Sequence, residues 1–168
     1  MNKLACLLIC ASFAAAASES YTLHESARSG ADAYSRAAQL QPLQAAGPDE
    51  LRVWMLDYMG GHVTGYIASR HRATKCLTKY HYADELVTID DARCWRVWRW
   101  VTKQEAIDLL GTLAELDGKE WNCPRLDGGG VIVDGVHDGK RITLEVGNPD
   151  ACDDPASRAV MKLLRALP

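Results

Sequence analysis

Val131-Ile132-Val133-Asp134-Gly135-Val136-His137-Asp138-Gly139-Lys140-Arg141-Ile142-Thr143-Leu144-Glu145-Val146 is the stretch whose reading decides the fold. Apolar and β-branched residues fill both limbs, and Asp138-Gly139 separates them. Glycine accepts positive φ without steric cost and aspartate tolerates it, so this dipeptide closes a type I′ turn. The stretch predicts a β-hairpin. Asp134, Asp138, Gly139 and Glu145 also fall at positions one, five, six and twelve of a calcium loop. Val136 and Ile142 stand where two oxygen ligands are needed, and apolar alternation flanks the stretch where helices should, so the hairpin prevails.

Outward from the hairpin lie two cysteines, Cys123 and Cys152, whose midpoint falls within a residue of the turn. Folding the ribbon there brings the two sulfurs together. Cys76 and Cys94 are placed alike around the polar stretch Ala83-Asp84-Glu85. The spacing predicts two disulfides, Cys76–Cys94 and Cys123–Cys152, each worth about 3–4 kcal/mol by loop closure. There is no Cys-x-x-Cys pair and no spacing that sets a zinc geometry, so neither a metal nor another cofactor is expected.

Cys6 and Cys10 belong to a different segment. Residues 1–18 carry Lys3, an apolar run from Leu4 to Ala17, and small residues at Ala15-Ala16-Ala17. That is the layout of a cleavable signal peptide. The run is shorter than the ~20 residues a spanning helix needs. The expected location is therefore the periplasm or the extracellular space, with no stable membrane span after cleavage.

The remaining pattern fills in the body. Residues 51–58, 62–69 and 72–80 have strand composition, and 87–100 is expected to contain a fourth strand. Thr102 is a helix cap with Glu105 three residues on, and Ile107, Leu110 and Leu113 recur at helical spacing. That helix is expected to stop near Asp117-Gly118. A last helix starts at Asp154-Pro155 and presents Val160, Leu163, Leu164 and Leu167. The fold class is α+β: an antiparallel meander or sheet of about six strands with two packed helices and two disulfides. Three segments follow: 1–18 as signal peptide, 19–49 as an Ala/Ser-rich flexible arm, and 50–168 as a single domain.

The whole chain carries a formal net charge of -3, and removing Lys3 with the signal leaves -4. Such a balance excludes the strongly basic surface of a nucleic-acid binder. The only phenylalanine is Phe13, so tryptophan and tyrosine must supply the large core side chains. Cys94-Trp95-Arg96-Val97-Trp98-Arg99-Trp100 combines tryptophan and arginine on both faces of a strand, and Arg70, Arg72 and Lys75 add charge on its neighbour. Trp98, Trp100, Arg96 and Arg99 are the candidate binding residues, able to stack on a sugar ring or meet an anionic partner.

Other groupings point to structure. His62, His71 and His81 lack a metal-fixing spacing. Asp150, Asp153 and Asp154 suit a helix start. Gly128-Gly129-Gly130 lacks the Lys-Ser/Thr ending of a phosphate loop. No catalytic signature is present. The expected function is a small exported, non-enzymatic binding or inhibitor-like module whose partner is a protein or an envelope polysaccharide. The alternative is a small secreted hydrolase with a site assembled from distant carboxylates and histidines.

Overall fold

The hairpin forms with both turn residues at positive φ, 50° at Asp138 and 73° at Gly139, as a type I′ turn requires. The computed structural model describes residues 19–22, 27–69, 72–84, 86–97, 103–117, 120–122 and 128–167. In chain order the elements are β1 (Glu19–Thr22), α1 (Ala27–Ala37), β2 (Glu50–Asp57), β3 (His62–Ser69), β4 (Ala73–Ala83), β5 (Leu86–Ile89), β6 (Arg93–Arg96), α2 (Lys103–Thr112), β7 (Glu120–Asn122), β8 (Gly129–His137), β9 (Lys140–Gly147) and α3 (Pro155–Arg165). The chain is α+β, with three helices where two were expected and more strands than six.

β2, β3 and β4 make the antiparallel meander, in a register that sets Trp54 opposite Gly65 and Gly65 opposite Cys76. β2 also pairs with β8, which joins the meander to the hairpin in one sheet. The sheet order is β1-β5-β4-β3-β2-β8-β9-β7. β7 runs parallel to β9, and every other described pairing is antiparallel. Along one edge, β4 carries β6 on Thr74 to Leu77 and β5 on Tyr80 to Ala83.

Helices cover both faces. Leu51, Val53, Val131 and Leu144 point to α2 and α3, where they meet Ile107, Leu110 and Leu163. Trp54, Leu56, Val63 and Tyr80 point the other way and meet Tyr34 of α1. Helix α1 touches β8 and β9 on one side and β1 and β5 on the other. In a flat sheet, β5 and β8 would stand about 19 Å apart at ~4.8 Å per strand. That span exceeds the ~10–12 Å width of a helix. The sheet therefore curls around α1, with α2 and α3 on its outer surface.

This arrangement corrects the reading of residues 19–49 as a loose arm. Glu19–Thr22 pairs with β5, and Ala27–Ala37 lies at the centre of the second core. Ala27, Gly30, Ala31, Tyr34 and Ala37 form one buried stripe. Gly30 weakens an isolated helix by about 1 kcal/mol. Here the small side chains of the stripe let α1 lie close to the sheet, and burial outweighs propensity.

Cys76 and Cys94 stand directly opposite each other and are bonded, with Cα atoms 4.1 Å apart. The Val97 N–H donates to the Ala73 carbonyl, which places the cysteines at a non-hydrogen-bonded position, where facing side chains approach most closely. Their sequence separation of 18 corresponds to about 3 kcal/mol of loop-closure stabilisation. Cys152 is also disulfide-bonded. Cys123, and with it the expected Cys123–Cys152 pairing, lies outside the described residues, as do residues 1–18. Among the described residues no helix is long and apolar enough to cross a membrane.

Helix α3 begins as its sequence dictates. The Asp154 carboxylate accepts from the backbone N–H groups of Ala156 and Ser157, both at 2.9 Å, and from the Ser157 hydroxyl. Burial works against its charge, but these hydrogen bonds hold its carboxyl below the ordinary value. The acidic cluster near Asp150 is thus in part a helix cap. Helix α2 ends earlier than expected, at Thr112, and a single 3-10 turn over Ala114–Leu116 carries the chain to Asp117.

Candidate functional site: an open basic face of the sheet

Strand alternation divides β4 into two sets. Cys76 and Tyr80 enter the core beneath α1, while Lys75, Leu77, Lys79 and His81 point to the outer face. β6 lies beside them in register, with Trp95 opposite Lys75 and Arg93 opposite Leu77. Directly paired residues share a face, so Lys75, Trp95, Leu77 and Arg93 form a four-cornered patch, with Lys79 extending it along the strand. Leu77 and Trp95 are each 45 % exposed, and Lys79 and Arg93 are exposed.

The disulfide fixes this patch. Cys76 and Cys94 are the neighbours of Lys75, Leu77, Arg93 and Trp95 in sequence, and their bond holds β6 on β4 at that register. Tyr66 of β3 lies under Lys75, whose Nζ sits 5.0 Å from the ring centroid. That contact steadies the ammonium by a cation–π attraction while leaving it at the surface.

Neither β4 nor β6 contains a carboxylate. Of the carboxylates at the margins, Asp90 and Asp57 have partners of their own, while Asp91 is exposed two residues before Arg93. Asp90 faces His81, with 3.3 Å between Oδ2 and Nε2, and Asp57 accepts the N–H groups of Met59 and Gly60. Lys79 and Arg93 make no ion pair among the described residues. A chain of net negative charge therefore gathers cations without ion-pair partners among the described residues on one sheet face, beside an exposed indole.

Of the residues expected to bind, Arg96 is exposed and shares the face of Cys94, opposite the patch. Trp98, Arg99 and Trp100 lie outside the described residues, as does Arg70. Trp95 and Arg93, rather than Arg96, are the β6 residues that share the outer face with Lys75 and Leu77. The alternation of Lys75, Leu77 and Lys79 along β4 is the signal in the sequence that sets these three side chains on one face.

Among the described residues, His62 and His81 join no cluster that could hold a metal ion. His62 is exposed opposite Lys79, His81 pairs with Asp90, and His71 lies outside the described residues. A different histidine gathers carboxylates. His137 Nδ1 is 3.6 Å from Asp49 Oδ2, and its Nε2 is 3.6 Å from Asp138 Oδ2. The ring rests on Gly111 of α2, where a Cβ would stand 3.0 Å away. One ligand atom from each of these three residues falls within 4.8 Å of the others. Asp138 projects from the hairpin turn into solvent, so the grouping is shallow.

Asp134, matched earlier to a calcium position, serves the fold. It is fully buried and accepts both Arg141 Nε and Nη2 at 2.9 Å and the Thr143 hydroxyl at 2.8 Å. Arg141 Nη2 also reaches Asp32 of α1 at 2.5 Å. Burial works against the guanidinium charge, yet hydrogen bonds to the two aspartates hold its pKa above the ordinary value. This network ties α1 to the hairpin. A groove of about 510 Å³ runs beside α3, lined by Pro149, Asp150, Arg158, Met161, Lys162 and Arg165 among others, with Arg158 engaged by Asp153.

No protein-family model and no curated protein matches this chain.

Proposed function

We propose that this chain is an exported, non-enzymatic binding module that meets its partner through the outer face of β4 and β6. One observation carries the reading. Lys75, Lys79 and Arg93 surround exposed Leu77 and Trp95 on strands without a carboxylate, held in register by the Cys76–Cys94 bond. Like charges without ion-pair partners among the described residues repel, so the grouping of Lys79 and Arg93 beside Lys75 suits an external ligand. The disulfide and the signal-like residues 1–18 support a periplasmic or extracellular location.

Footprinting tests the reading. The oxidised protein is mixed with an envelope and culture-fluid extract of its host, then labelled with hydroxyl radicals and an amine-acetylating reagent. Trp95 and Lys79 should each lose at least half of their labelling, while Met59, 75 % exposed on the β2–β3 turn, keeps its own. Equal labelling of Trp95 with and without the extract would overturn the proposal.

The hydrolase reading has one observation in its favour, the imidazole of His137 set between Asp49 and Asp138. A carboxylate facing one ring nitrogen can orient a histidine as a general base at the other. If that reading holds, His137→Ala removes at least 100-fold of any esterase or glycosidase turnover found in the purified protein. Turnover unchanged by the substitution removes the site from consideration.

A further inference from the structure

We infer that the ligand of the outer β4–β6 face is a linear acidic polysaccharide, a polymer of sugars bearing carboxylates; this rests on the binding reading above. Three features of the patch select it.

The first is charge. The patch carries Lys75, Lys79 and Arg93 within a chain of net charge -3, so the partner that gains most there is polyanionic. The second is shape. Lys75, Leu77 and Lys79 recur along one strand at two-residue steps, each about 6.6–6.8 Å. β6 adds Arg93 and Trp95 beside them. The result is an extended row of donors on a sheet surface, which a linear polymer can follow. The third is the apolar content. Leu77 and Trp95 are the exposed large apolar side chains of β4 and β6 on this face. Two such residues do not make the apolar centre of a stable protein interface, which buries roughly 800 Å² on each partner. One indole suffices to stack on the C–H face of a sugar ring, while the neighbouring arginine and lysines meet its carboxylates through charge-assisted hydrogen bonds.

The cation types fit these roles. Arg93 offers a planar fork that takes a carboxylate in bidentate fashion, and Lys75 and Lys79 act as point charges on long stems. Lys75 is held over Tyr66, so part of its ordering cost is met before any ligand arrives.

The test uses the full oxidised protein and size-defined polygalacturonate as the probe, with neutral dextran as the control, titrated by calorimetry. Polygalacturonate should bind with a Kd in the micromolar range at 50 mM salt and weaken at least tenfold at 200 mM, and dextran should not bind. The double variant K79E/R93E should weaken binding at least 30-fold, and Trp95→Ala about 5–20-fold. Circular dichroism and the intact Cys76–Cys94 bond check that each variant is folded. Affinity unchanged in these folded variants overturns the inference.

A second arm separates this inference from the reading beneath it. Host extract is oxidised with periodate, quenched, and returned to the footprinting assay, in parallel with extract digested by protease. Protection of Trp95 that survives protease and disappears with periodate supports the polysaccharide. Protection that survives periodate and disappears with protease overturns the polysaccharide and leaves the binding face standing. No protection in untreated extract removes both.

Discussion

Arg141→Ala should lower the unfolding free energy by about 3–5 kcal/mol, the cost of leaving a buried charge without its partner. The substitution strips Asp134, which is fully buried, of both guanidinium hydrogen bonds and leaves it only the Thr143 hydroxyl. Asp32 loses its partner too, but its side chain is 35 % exposed and water replaces the bond at little cost. Asp32→Ala should therefore cost about 1 kcal/mol or less. Urea unfolding followed by circular dichroism measures both values. For a chain of this size the larger one corresponds to a fall in Tm on the order of 10 °C. The double variant Asp134→Leu with Arg141→Met should recover most of the loss, because an apolar pair of similar volume carries no desolvation penalty. If Arg141→Ala and Asp32→Ala prove equally mild, the network does not anchor α1.

The second large effect lies under α1. Trp54 is fully buried and stacks on Tyr34 with ring centroids 5.7 Å apart. Its ring also packs against Gly65, its cross-strand partner, where any Cβ would overlap it. Trp54→Ala should cost about 3–5 kcal/mol, the range for removing a buried large aromatic side chain. Gly65→Val should cost about 1–3 kcal/mol by overpacking. The informative result is the pair. With the ring gone, valine at position 65 fills part of the space left behind, so the double variant should be more stable than the sum of the two losses by at least 1 kcal/mol. Strict additivity in denaturant titrations would show that the ring does not rest on Gly65.

These two sites show how far the sequence can be read. That tryptophan supplies large core side chains, Trp54 among them, was legible, since the only phenylalanine is Phe13. The glycine against Trp54 was not, because a close approach between strands depends on register. Arg141 and Asp134 were legible as limbs of one hairpin. Their junction with Asp32 was not, because it joins residues 109 positions apart in the chain.

The open face divides in the same way. Lys75, Leu77 and Lys79 share a face by alternation alone. The identity of their neighbours depends on where β6 pairs, and one residue of slip would exchange Trp95 and Arg93 for Cys94 and Arg96. The Cys76–Cys94 pairing, anticipated from the symmetric spacing about Glu85, was the one clue in the sequence to that register.

By itself the sequence determined what is local: the Asp138-Gly139 turn, the Asp154-Pro155 start of the last helix, the meander and one disulfide. Each follows from a backbone preference or hydrogen bond closed within a few residues, or from a short loop whose ends are easily joined. Tertiary structure alone decided that Ala27–Ala37 is a core helix, that β2 joins β8, and that the sheet curls. Small residues such as Ala31 and Gly30 have little to bury alone, and they favour a helix only once a curved sheet supplies the surface that excludes water from them.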